Sequence, residues 1–541
     1  MSNSPTPCGT IQELSLKSLE DVREPIDFRL DKSSRPSQEQ LDESFARQLG
    51  DVIHHGQHHP NTEDEEKGLP DDPEPIYVEF KEGDERNPTF YPRPLKWTIT
   101  AVGCAFAFLA SGTASSYNLG FGSMTKDLNC SEFQATVGLS MYALGFAIVP
   151  LFSSSFSEEV GRRPLYIVSL IGHMLMHLMI ALSQNIQTVI IARFLQGGFG
   201  STGAVMVAGT IADIWMPSER SLPMSFYALV AVGGTGLGPV AAGWIEMNPH
   251  LQWRWIQWIH MILTGVVLLL VITFMKETRS TILLARLAQK MRKQTGDHRY
   301  RARAEDEKAS LYNLIAVSCT RPLYLLTHEP IVFSISIWLG FAWGLLYCMI
   351  ESIGPLFTTL HGFNSGQVGT VFLTLAVGSL LGFLTNFYQE HLYQKHFSER
   401  GLEARLYGAC IAGIFFPIGM FIYAWSSFAR VHWIALVIGI TVFVWAAFTI
   451  YLAAFTYLSD CYGPFASSAS AGQSLMRNIA GLSFPLFTPQ MFAALGYTWG
   501  NTLFALVSVL MIPIPFVLFL YGPRIRSRSR FGVVESQKSW G

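Results

Sequence analysis

The chain has 541 residues, of which 50% are hydrophobic and only 14% charged, with a formal net charge of −2. Soluble domains carry about 25% charged residues, so this composition excludes a protein that faces water throughout. The seven cysteines (Cys8, Cys104, Cys130, Cys319, Cys348, Cys410, Cys461) have neither metal-like spacing nor a paired extracellular pattern.

Residues 1–94 hold 21 of the 40 acidic residues and 10 of the 38 basic ones. With so few apolar residues, this segment is expected to be a cytoplasmic, acidic, disordered tail. It lacks the basic start and apolar core of a cleavable signal, so the first apolar helix, near Trp97, is expected to act as the anchor. A bilayer core about 30 Å thick needs roughly 20 apolar residues per helix. Twelve stretches fit: 97–118, 133–153, 165–183, 187–210, 222–244, 254–275, 330–352, 367–388, 405–425, 432–455, 470–492 and 499–521. The eleventh is expected to be broken by Pro485 and Pro489. The predicted fold class is an all-α membrane protein of two six-helix halves, 95–275 and 330–522. A basic linker, 276–329, joins the halves, and a basic tail, 523–541, follows.

Within 276–321 there are 11 Lys/Arg against 5 Asp/Glu. Such loops lie on the cytoplasmic side, which places both termini there with Arg162-Arg163 and Arg524, Arg526, Arg528 and Arg530. The sequon Asn129-Cys130-Ser131 then falls in the first outside loop, making Asn129 a glycosylation candidate. Two six-helix halves joined by a linker suit a transporter whose site lies at the midplane between them.

Several segments are costly to place in a bilayer unless they act there. The hairpin between the second and third spans carries Glu158 and Gly161-Arg162-Arg163. Gly161 allows a tight turn, and the cations can pair with carboxylates or helix ends; the plainer alternative is a merely positive inside loop. Arg193 sits inside the fourth span, where it must face a cavity or partner or snorkel to an interface. Gly234, Gly238-Pro239 and Gly243 punctuate the fifth span, allowing close helix approach and a bend. Glu351 is the one acid placed well inside a span of the second half, either as a proton or cation site or near the outer mouth. Tyr117, Asn118, Trp445, Tyr451, Gln473 and Asn478 are candidates to line a substrate cavity, with interhelical hydrogen bonding as the alternative. Arg477 is a second embedded cation. His173 and His177, four apart on the third span, have metal-ligand spacing, but no third ligand is evident and no metal or other cofactor is expected. There is no P-loop and no nucleic-acid motif.

These residues resemble the major facilitator superfamily, and within it the twelve-helix fungal branch of drug:proton antiporters, over about residues 80–525. Phe80, Asp84, Asn87-Pro88 and Lys96-Trp97 resemble that branch's lead-in. Trp253-Arg254-Trp255, Glu277-Thr278, Glu351-Ser352 and His361-Gly362-Phe363-Asn364 are similar to its later segments. The resemblance implies that Glu158 and Gly161-Arg162-Arg163 form a gating motif that latches the halves, with Ser154 standing where the family has glycine. It also implies that Arg193 takes part in proton coupling, that Gly234 to Gly243 is an antiporter motif, and that Asp213 and Glu219-Arg220 form structural pairs. The expected function is export of an organic molecule (a drug, toxin or secondary metabolite) against protons, by a monomer in the plasma membrane or, second, the vacuolar membrane. Organic acids or polyamines are alternatives; a lone interior acid speaks against polyamines, while the arginines leave anionic or neutral substrates open. An importer on the same fold and a non-transporting receptor or scaffold are the rival readings; nothing points to an enzyme.

Overall fold

The computed structural model describes residues 75–529 and 531, except 82, 217–218 and 307–310; side chains at 154, 155, 158, 306, 311–314 and 464 are also outside the description. Most of tail 1–94 therefore lies outside the described residues. Ten helices follow in order: α1 (Arg93–Ser116), α2 (Glu132–Glu159), α3 (Arg162–Ala181), α4 (Ile186–Ile214), α5 (Ser221–Met247), α6 (Gln252–Phe274), α7 (Pro330–His361), α8 (Leu373–Arg400), α9 (Tyr407–Trp425) and α10 (Trp433–Tyr462). A longer stretch, Ala466–Met511, divides at Gly496, whose φ of 73° ends one helix and starts another. The pieces 466–495 and 497–511 are α11 and α12, the latter continued by Pro513–Arg526. Among the described residues, nine stretches are long and apolar enough to cross a membrane. Two of these, Ser365–Trp425 and Ala466–Arg526, each hold two helices. With α4, glycine-rich and interrupted by Arg193, the twelve spans are complete.

The spans start where their caps say they should. Ser131 and Gln134 form a capping box before α2, and Asn185 accepts from Thr188 N before α4. Several helices run past their apolar cores: α2 to Glu159, α7 to His361, α8 to Arg400 and α10 to Tyr462. Hydropathy reads only the apolar length, whereas helical hydrogen bonds persist into water. The expected proline break in α11 is absent, since the helix runs through Pro485 and Pro489. Membrane helices tolerate proline where packing against neighbouring helices holds the chain.

Part of the segment read as tail is described and carries structure. Ile76–Tyr77 pairs in parallel with Tyr300–Arg301 of the linker, and Val78 packs with Ala288 and Ala302. At this surface Arg86 grips Asp84 with bonds of 2.7–3.1 Å and holds its carboxyl at about 2. The linker itself contains helices Ser280–Thr295 and Leu311–His328.

Apolar side chains also cover the outside. Ile262, Leu269, Leu384, Phe387, Leu506 and Leu510 are all exposed, while Arg193, Gln196, His173 and His177 are buried. That arrangement inverts a water-soluble protein and suits a lipid surround. With no hydrophobic force between helices in lipid, small residues bring backbones together. A Cβ on Gly145 would meet Gly198 N at 2.6 Å, seaming α2 to α4, and one on Gly238 would meet Gly112 Cα at 2.7 Å, seaming α5 to α1.

Gly145→Leu is expected to lower stability by about 3 kcal/mol or to prevent recovery of folded protein, because overpacking a closed seam has no inexpensive relief. Gly265→Ala, whose new Cβ would find only Met174 Sδ at 3.8 Å, should leave stability unchanged. Thermal unfolding of the purified variants in detergent checks both.

Candidate functional site

On the face that carries the linker, the α2–α3 turn closes around a carboxylate. Gly161, at φ 100°, caps α3, and the N–H groups of Arg162 and Arg163 donate to Glu277 Oε1 and Oε2 at 2.9 and 3.2 Å. The N–H groups of Thr278 and Arg279 reach the same carboxylate at 3.0 Å. A Cβ at Gly161 would come within 2.5 Å of Glu277 Oε2, so the turn leaves no room for a side chain. The Arg162 side chain pairs with Asp213 at 3.1 Å and donates to Ser157 at 2.8 Å. Arg163 donates to the Ile272 carbonyl at 2.9 Å. Among the described residues, the side chains of Arg162 and Arg163 bond to α2, α4 and the end of α6. The hairpin thus ties α2, α3, α4 and α6 together. Asp213 pairs as expected; the Glu158 side chain lies outside the description.

The second half repeats the device, and sequence reading missed it. Gly401 (φ 60°) precedes a short turn whose Arg405 pairs with Asp460 at 2.9 Å and Glu390 at 2.7 Å. Arg526, at the end of the α12 continuation, meets buried Glu403 at 3.1 Å. The available signal was the recurrence of glycine followed closely by arginine between the second and third helix of each half. Across the interface, Ser221 Oγ donates to Glu390 Oε2 at 3.4 Å and Asn386 Nδ2 to Ser225 Oγ at 3.1 Å.

Arg193 is fully buried and does not snorkel. Its guanidinium lies between the rings of Tyr117 and Tyr142, 4.2 and 4.3 Å from their centroids. It donates to Gln196 Oε1 at 2.9 Å and to the Thr113 and Gly138 carbonyls at 3.3 and 3.4 Å. Aromatic faces and carbonyl dipoles stabilise the cation where no carboxylate lies within ion-pair range among the described residues. His173 and His177 stand nearby with His260, which stacks on His177. Their nitrogens turn to the Gln196 carbonyl, Gln257 and Thr113.

The α5 glycines face two ways. Gly234 and Gly238 meet α1, whereas Gly243 meets Ser365 and Gly369 of the second half, and the Pro239 carbonyl lies against Gly369. Trp244 Nε1 reaches Thr370 Oγ1 at 3.3 Å beside this seam. Nearer the same end, Thr136 Oγ1 of α2 donates to Glu351 Oε1 at 3.0 Å. Glu351 Oε2 is buried without a partner.

Between the halves lies a cavity of about 110 Å³, whose wall includes Tyr142, Tyr227, Trp343, Tyr347, Tyr451 and Arg477. Of the expected cavity residues, Tyr451 and Asn478 line it. Trp445 lines a second cavity, of about 150 Å³, between α5, α8 and α10. Tyr117 is taken up by Arg193, Asn118 donates to the Ile350 carbonyl at 2.6 Å, and Gln473 is buried beneath the linker helix Leu311–His328; none of these three is among the cavity's lining residues. Asn129, with φ 48°, is exposed in the α1–α2 loop on the face opposite the linker.

The Major Facilitator Superfamily matches residues 103–464. The chain belongs to this superfamily. An uncharacterized MFS-type transporter of Schizosaccharomyces pombe is 34% identical, over 84% of this chain and 83% of that one. The efflux pump FUBT of Fusarium oxysporum is 30% identical, over 84% and 78%. The Escherichia coli xylose transporter XylE, in a partially occluded inward open conformation, shares the fold with a TM-score of 0.56 at 14% identity, over 79% of this chain and 99% of that one. The chain is therefore an integral membrane transporter of the superfamily, and its two halves and interfacial cavity are the parts with which such a protein moves a small molecule.

Glu277→Ala strips four backbone N–H groups of one acceptor. It is expected to cost about 3 kcal/mol, read as a drop in unfolding temperature, and to expose the α2–α3 turn to proteolysis. Glu219→Ala should do neither, because its partner Arg93 is largely exposed.

Proposed function

We propose that this superfamily member is a proton-coupled exporter of an organic small molecule, working by alternating access. The observation that carries this reading is Glu351. Its carboxyl sits on the seam between the halves, with one oxygen held by Thr136 across the interface and the other without a partner. A charged carboxylate in such a place is costly and a neutral one is less so. Proton binding at Glu351 therefore changes the strength of a contact that the rocking of the halves must make and break. Glu351 lies toward the face opposite the basic linker. By the positive-inside bias that face is external, so a proton arriving there and leaving inward suits outward movement of substrate. The name of the Fusarium relative, an efflux pump, agrees. The same bias supports cytoplasmic termini, with the plasma membrane as the expected site. The superfamily match and the efflux-pump name of the Fusarium relative support reading the chain as a transporter.

The test is resistance to, and retention of, a panel of organic compounds in a transporter-deficient yeast expressing the chain. A protonophore is expected to abolish efflux. Glu351→Gln, matched for surface expression, should reduce it about tenfold or more, a change worth about 1.4 kcal/mol. Efflux that ignores both the protonophore and Glu351→Gln would overturn proton coupling at this residue. Protonophore-sensitive uptake in place of efflux would reverse the direction.

Gly243→Val adds bulk to a seam that only crosses between the halves. It should leave each half folded, with a near-normal unfolding temperature, yet reduce transport by about tenfold or more by preventing close approach to Ser365 and Gly369.

A further inference from the structure

The cavity between the halves contains one charged lining residue, Arg477, and no acid among the described residues. The Arg477 guanidinium lies 4.7 Å from the ring centroid of Trp343 and 5.4 Å from that of Tyr451. Its Nη2 donates to Ser474 Oγ at 3.1 Å, while its Nε has no acceptor.

Other buried arginines in this protein have more support, although Arg193 Nη2 also lacks an acceptor. Arg162, Arg405 and Arg526 pair with carboxylates. Arg193 lacks one, but three oxygens and two ring faces enclose it, and it does not line the cavity. Arg477 alone faces this space with its charge supported only by rings and one hydroxyl. Ring faces recover part of the cost of a cation removed from water, and a single neutral hydroxyl adds little. The partner such a site lacks is an anion.

We propose that Arg477 anchors the acidic group of the transported molecule, so that the substrate is a compact organic anion, a carboxylate on a flat apolar body. The planar guanidinium fork matches a carboxylate's two oxygens. Trp343, Tyr347 and Tyr451 offer faces on which a flat ring system can stack. A cationic substrate would meet repulsion and no compensating acid. The anchor also adjoins the interface: the next residue, Asn478, donates from Nδ2 to the Phe146 carbonyl of the first half at 3.2 Å and shares Ser474 Oγ at 3.4 Å. An anion that draws Arg477 from Ser474 therefore disturbs a hydrogen-bond group that joins the halves. This inference rests on the transport reading above for the site's purpose, but its test does not need transport.

The test is equilibrium binding of three probes to the full-length protein purified in detergent: 2-naphthoate, its neutral methyl ester, and the cation 2-naphthylmethylammonium. The wild-type protein is expected to bind naphthoate about tenfold or more tightly than the ester or the ammonium, the scale of a charge-assisted pair. Arg477→Gln should erase that preference, and Arg477→Lys, which keeps the charge, should retain most of it. Unfolding temperatures of the unliganded variants show whether each is folded; should Arg477→Gln not fold, the wild-type ranking and Arg477→Lys decide. Equal binding of ester and acid, tighter binding of the ammonium, no binding of any probe, or an acid preference surviving in folded Arg477→Gln would each overturn the proposal. Selective naphthoate binding by a protein that shows no protonophore-sensitive efflux would instead count against the exporter reading and leave the anion site standing.

Discussion

In the hydrocarbon layer there is no water to satisfy a charge or a stray backbone group, so each must find its partner inside the protein. Much of this structure follows from that constraint. Arg193 is tolerated because two tyrosine faces and three oxygens surround it. Glu351 is only half satisfied, and it sits on the moving seam. Arg477 faces the cavity with no acid nearby. The charges form a series of decreasing compensation, and the least compensated ones lie where a proton or a substrate can complete them.

At the membrane's edge the same constraint relaxes and a different logic holds. There the chain gathers true ion pairs. In the first half, the Arg162 backbone N–H binds Glu277 and its guanidinium binds Asp213; the turn after Gly401 presents Arg405 to Asp460 and Glu390 in the second. Each cluster ties the second helix of its half to later helices, so each half can move as a unit. Contacts between the halves are of another kind. They are single hydrogen bonds such as Thr136 to Glu351 and Asn386 to Ser225, together with glycine seams. Strong bonds within halves and weak bonds between them are what a rocking mechanism needs, because only the weak set is exchanged during transport.

The helices were legible because a membrane span must be apolar over a set length, and that length leaves a mark in one dimension. What hydropathy missed lay outside the bilayer: the continuation of α8 to Arg400, the linker helices, and the pairing of Ile76–Tyr77 with Tyr300–Arg301. Proline was misleading at Pro485 and Pro489, since the helix runs through both and membrane helices tolerate proline where neighbouring helices support it. At the site, unusual residues were visible as such, because an arginine or glutamate amid apolar neighbours stands out. Their partners were not. Asp213 and Glu277 lie more than fifty and more than a hundred residues from Arg162, with neither a repeat nor a fixed spacing to announce the pairing, and Tyr117 looked like a cavity residue until Arg193 was seen resting on it.

The sequence alone determined the class of protein, the number of spans, the division into halves and the places where charge enters the bilayer. These are properties of composition along a line, and the cost of moving a polar group into hydrocarbon makes them hard to disguise. Only the tertiary structure decided which charges meet. It put Arg162 beside Asp213 within one half, Glu351 on the seam, Tyr117 beneath Arg193, and Arg477 in the wall of the cavity. Pairing depends on helix rotation and crossing, which glycine seams and caps set through contacts between residues far apart in the chain, and no local pattern records them.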